Sequence, residues 1–148
     1  MTEAITAHEI TIRRVFEAPR EAVWAAWTQP EQLAAWWGPR AWSTPAENVT
    51  LDVRVGGTMR VTSVSPDGSE MTTVGTFTEV LRPDRLAVEE APEGAWHEGA
   101  SSTVTFTDLG YGRTEMVLLS TINTTDEMIA HAEAGLNEGV DRIAELLS

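Results

Sequence analysis

The chain has 148 residues, 42% of them hydrophobic, with ten arginines, no lysine and no cysteine set against 23 acidic residues, for a formal net charge of −13. That length suits one domain with a core needing no covalent staples, and the absence of cysteine removes disulfides, thiolate metal sites and a cysteine nucleophile together. The charge repels phosphate backbones and anionic headgroups, so nucleic acid and membrane partners are not expected.

No apolar run has the length of a membrane-spanning helix, and Met1–Ala4 starts neither a basic nor an apolar leader, so a cytoplasmic location is expected. Ile10, Ile12, Val15 and Phe16 open the chain as a strand over residues 5–16. Pro19 suits the first turn of a helix carrying Val23, Trp24 and Trp27. Thr28-Gln29-Pro30-Glu31 reads as a capping box for a second short helix with Leu33 and Trp36 on one face, stopped by Gly38-Pro39.

From Glu47 to Thr121 the period becomes two. Val49, Leu51, Val53 and Val55 predict one strand, and Gly56-Gly57 turns into a second with Met59 and Val61. Pro66-Asp67-Gly68-Ser69 predicts a hairpin into residues 71–81, and Arg82-Pro83-Asp84 a turn into 86–91. Two further strands carry Val104 and Phe106, then Met116 and Leu118, across a turn at residues 108–112. Finally, Thr124-Thr125-Asp126-Glu127 reads as a capping box. Ile129, Ala132, Leu136, Val140, Ile143 and Leu147 follow it as one apolar stripe of a helix about 36 Å long.

These elements define an α+β fold of the helix-grip type: a curved antiparallel sheet of about seven strands, two short helices and one long C-terminal helix, in a single domain over 1–148. A straight helix cannot fill every part of a curled sheet's concave side, which predicts an apolar cavity. Gly135 and Gly139 either leave space there or mark close packing. Met59, Met71, Met116 and Met128 are either an adaptable lining or ordinary core.

The chain resembles the START-like, birch-pollen-allergen superfamily, in its branch of activator-of-heat-shock-protein-90-ATPase homologue domains. The resemblance rests on Ala18-Pro19-Arg20-Glu21-Ala22-Val23-Trp24, Thr28 to Leu33, Trp36-Trp37-Gly38-Pro39, Leu51 to Gly57, Gly75 to Val80 and Pro83 to Leu86, in that order. It implies the same helix grip, in a superfamily of lipid carriers, hormone receptors and aromatic polyketide cyclases. The family pattern usually has Trp after the helix glycine. This chain has Leu136, which implies a roomier site.

The expected partner is therefore a small hydrophobic molecule, held by a monomer or homodimer with no cofactor. The expected wall comprises Trp37, Val53, Met59, Met71, Phe77, Trp96, Phe106, Met116, Met128, Ala132 and Leu136, with Trp37 and Trp96 as gate residues and Trp42 bordering the mouth. Trp24, Trp27 and Trp36 are read as core. Arg54 is placed on the outer sheet face, paired with Asp52 or an acidic neighbour.

His8, His97 and His131 form no metal-binding constellation, and no nucleophile elbow, phosphate loop or dinucleotide fingerprint is present. An enzyme of cyclase or hydratase type is the alternative. It would need His97, Tyr111 and Glu79 to converge inside the cavity, with His97 the first acid–base candidate. A co-chaperone role ranks last, because the eukaryotic activators carry an additional N-terminal domain for which this length leaves no room.

Overall fold

The computed structural model describes residues 4–38, 41–92 and 97–148. Seven strands occur in chain order: β1 (Thr6–Phe16), β2 (Val49–Leu51), β3 (Thr58–Val64), β4 (Glu70–Leu81), β5 (Arg85–Glu90), β6 (Ala100–Gly110) and β7 (Arg113–Thr124). Three helices accompany them: α1 (Arg20–Thr28), α2 (Pro30–Trp36) and α3 (Asp126–Leu146). The strands form one antiparallel sheet in the order β1-β7-β6-β5-β4-β3-β2, so the first strand crosses to the far edge beside the last. This is the helix-grip architecture expected from the pattern.

Local departures from the expected elements have identifiable causes. Thr28 does not cap α2. It closes α1, donating its hydroxyl to the Trp24 carbonyl at 2.9 Å, while Gln29 takes the cap position and Pro30 the first turn. Pro19 sits at the cap of α1 rather than inside it. In α3 the cap is Thr125, whose hydroxyl accepts from the Met128 N–H at 3.2 Å, one residue later than the expected box.

β2 ends at Leu51, so the expected strand through Val55 is mostly turn. The Arg54 N–H bonds back to the Asp52 carbonyl and the Gly57 N–H to the Arg54 carbonyl, leaving Val55 exposed. A side chain at Gly57 would lie 2.0 Å from the Asp52 carbonyl oxygen, so only glycine passes through this loop. Arg54 holds Asp52 through its Nε at 2.8 and 3.0 Å as expected, but it does so from this exposed turn and not from the outer sheet face.

The concave face of the sheet is graded by side-chain size. Inward positions of β6 run Ala100, Ser102, Val104, Phe106, and those of β7 run Ile122, Ser120, Leu118, Met116 alongside them. At the bulky end Phe106 meets Trp24 of α1 edge-on, ring centroids 6.0 Å apart, and Met116, Val23 and Phe16 complete a solid core. At the other end stand the small residues Ser102, Ser120, Thr73 and Ser63, with Ile122 and Met71 beyond them. Over that end lies the N-terminal half of α3.

Candidate functional site

α3 is anchored by its C-terminal half. Gly139, Val140 and Ile143 are buried, and Arg142 donates to the carbonyls of Ala35 (2.8 Å) and Gly38 (3.1 Å), satisfying the exposed end of α2. Arg14 of β1 reaches Asp141 at 2.7 Å. The N-terminal half has no buried residue between Asp126 and Glu138. It spans a cavity of about 270 Å³.

The cavity has an aromatic wall of Trp36, Trp37 and Trp42, a helix wall of Met128, His131, Ala132, Gly135 and Leu136, and a sheet floor including Met71, Thr73, Glu90, Ser102, Ser120 and Ile122. Trp36 is fixed by an indole N–H bond of 2.8 Å to the Ala26 carbonyl, and its ring lies 4.7 Å from Trp27 and 5.6 Å from Trp37. Exposed Met128 and His131 mark where the space meets solvent. A smaller recess of about 60 Å³ shares Trp36, Trp37, Glu90, Ser102, Ser120 and Leu136 and is bounded by Trp27, Met59 and Phe77. The Trp27 indole N–H is buried with no hydrogen-bond partner among the described residues.

Of the eleven residues expected on the wall, Trp37, Met71, Met128, Ala132 and Leu136 line the main cavity, and Met59 and Phe77 line the recess. Phe106 and Met116 do not. They lie in the solid core under α1, because the size gradient fills that end of the sheet. Val53 packs partly against the core from the turn after β2 and touches neither space. Trp96 lies outside the described residues. Trp36, read as core, is both buried and part of the cavity wall.

The two helix glycines divide between the two readings. A Cβ at Gly139 would stand 3.2 Å from Trp36 Cε3 and 3.4 Å from its carbonyl oxygen, so this glycine marks close packing. A Cβ at Gly135 would meet nothing within 4 Å, so this one leaves space.

His97, Tyr111 and Glu79 do not converge. Tyr111 is fully exposed at the β6–β7 hairpin tip, with φ of 55°. A β-bulge between Phe77 and Glu79 shifts the register, so Val80 packs on the core while Glu79 forms an ion pair with Arg85. Only His97 reaches the cavity, where its side chain is buried.

There it meets a residue that sequence reasoning passed over. Glu90 shares strand parity with buried Leu86 and Val88, and its side chain is 16% exposed. His97 Nε2 lies 3.1 Å from Glu90 Oε1, and the Gly99 N–H donates to His97 Nδ1 at 3.0 Å. Since Nδ1 accepts, the ring proton sits on Nε2 and is donated to the carboxylate. The signal for Glu90 was its in-facing parity in Leu86-Ala87-Val88-Glu89-Glu90, obscured by a neighbouring glutamate of opposite face. Among the described residues no group of three or more His, Cys, Asp or Glu is placed to hold a metal.

A curled antiparallel sheet gripping one long helix, with a cavity between them, defines a START-like protein. The chain belongs to the family described as Activator of Hsp90 ATPase homolog 1-like protein, whose model matches residues 17–148. It is similar to a solved protein of Arthrobacter aurescens at 29% identity and a TM-score of 0.80, covering 94% of this chain and 85% of that one. A protein of Chromobacterium violaceum is 22% identical with a TM-score of 0.82, over 94% and 96% of the two chains. The AHSA1 protein of Silicibacter pomeroyi is 22% identical with a TM-score of 0.80, over 95% and 97%. The last two likenesses speak to fold alone. A comparison with curated proteins gives no match. No helix among the described residues is long and apolar enough to cross a membrane.

Proposed function

We propose that this domain is a non-catalytic carrier or sensor that binds a small hydrophobic molecule between its sheet and the N-terminal half of α3. The carrying observation is a mostly apolar space of about 270 Å³ under a helix segment with no buried residue, where position 135 opens onto emptiness. Ligand sites are concave, largely apolar and carry a few placed polar groups, at volumes of roughly 300–1,000 Å³. The size here favours a ligand of one or two rings over a two-chain lipid. Leu136 lies on that wall, and since the resemblance implies Trp there, the smaller side chain supports a roomier site. The catalytic alternative loses the convergence of His97, Tyr111 and Glu79 on which it depended.

The test is titration with one- and two-ring aromatics and short-chain lipids. Tryptophan fluorescence is followed because three indoles line the space, together with thermal shift. A ligand at a hundred times its Kd stabilises the native state by about 2.7 kcal/mol. Gly135→Phe, which projects a ring into the cavity, should leave the fold intact and abolish both signals. Silence from every probe in the unsubstituted protein overturns the proposal.

A further inference from the structure

We infer that Glu90 makes this cavity selective for ligands that carry a hydrogen-bond donor, a hydroxyl or an amine, on an apolar body, and that it excludes carboxylates. The inference rests on the cavity being a binding site. Among the described wall residues only Glu90, His97 and His131 are titratable, and His131 is exposed at the mouth. No arginine lines the wall among the described residues, so nothing there offers the bidentate fork that a carboxylate ligand needs.

Glu90 is held in an unusual position for an acid. A mostly buried carboxylate is costly unless it is hydrogen-bonded, and here one oxygen accepts a hydrogen bond from His97 Nε2. The other oxygen accepts no hydrogen bond from a described residue. Ser102 and Ser120, its neighbours on the floor, are bonded to each other at 2.6 Å. The cavity therefore presents an acceptor with charge behind it, enclosed by indole and aliphatic surface. In such surroundings a donor to a charged group is worth more than in water, and a second carboxylate is repelled more strongly.

His97 acts through Glu90 as a positioning residue. With Nδ1 held by the Gly99 N–H and Nε2 by the carboxylate, the imidazole fixes which way Glu90 points. Glu90 also borders a groove on the outside of the sheet with Thr76, Gly99 and Asn123, so a carboxylate released from His97 has an outward alternative.

The experiment compares four probes of one shape: naphthalene, 2-naphthol, 2-naphthylmethylamine and 2-naphthoate, titrated by tryptophan fluorescence and calorimetry. We expect naphthol and the amine to bind about tenfold tighter than naphthalene, and naphthoate to bind weakest. Glu90→Gln should flatten that ranking, and its amide oxygen still accepts from His97. His97→Phe should lower the naphthol-to-naphthalene ratio, a quantity that a purely structural role does not move. Equal binding of naphthalene and naphthol, or tightest binding of naphthoate, overturns the selectivity while the cavity reading stands. Failure of all four probes overturns both. The ranking in the unsubstituted protein decides the matter even if a variant fails to fold.

Discussion

The two halves of α3 carry one continuous apolar stripe yet meet opposite surroundings. The C-terminal half lies against Trp36 with Gly139, Val140 and Ile143 buried, and Arg142 ties it to the end of α2. The N-terminal half carries Ile129, Ala132 and Leu136 on the same stripe, but these are only partly buried, and Ala132 and Leu136 face open space. The difference lies across from the helix. Where Phe106 and Met116 project from the sheet the interior is solid, and where Ser102, Ser120 and Thr73 stand it is hollow. An amphipathic helix shows which of its faces is buried; the depth of burial is set by the volume of what it lies on.

The contrast predicts unequal responses to substitution. Phe106→Ala, in the solid half, removes a fully buried ring that packs on Trp24 and should cost about 3–5 kcal/mol of unfolding free energy, read by denaturant titration. The two glycines make the sharper test. Gly135→Ala adds a methyl group into open space on a helix and should gain up to about 1 kcal/mol. Gly139→Ala presses on a Trp36 ring that is itself pinned to Ala26, and should gain nothing or lose about 1 kcal/mol or more, as overpacking does. Equal gains at both positions would mean that the two halves of α3 are packed alike.

The smallest effect is expected at the hairpin between β3 and β4. The Ser65 hydroxyl first, then the backbone and side chain of Ser69, hold the Asp67 carboxyl down from 3.8 to about 2. A depressed acid contributes stability that is present above its unfolded pKa and lost as pH falls through the folded one. Asp67→Asn should therefore lower the melting temperature slightly at pH 7, with the gap to the unsubstituted protein closing between pH 4 and pH 2.

Much of the molecule was legible in its sequence. Period two from Glu47 to Thr121, the Pro-Asp-Gly-Ser hairpin and the period of α3 each depend on neighbours a few residues away, and local sterics and amphipathicity dictate them. The resemblance carried by Trp36-Trp37-Gly38 and Leu51 to Gly57 pointed to the same fold. Errors came where one residue changes the geometry. The loop through Gly57 ended β2 at Leu51, where period two predicted a strand through Val55.

The sequence by itself determined the elements, the antiparallel sheet, the helix that grips it and the apolar character of the space between. The tertiary structure decided where that space is and what chemistry faces it. Phe106 and Ser102 share a face of β6 and differ in role because register sets one beside Met116 under α1 and the other beside Ser120 under α3. Gly135 and Gly139 differ because only one lies over Trp36. Glu90 and His97, seven residues apart, became a pair when the backbone at Gly99 fixed the imidazole against the end of β5. Each of these depends on distances across the fold, and no local periodicity encodes them.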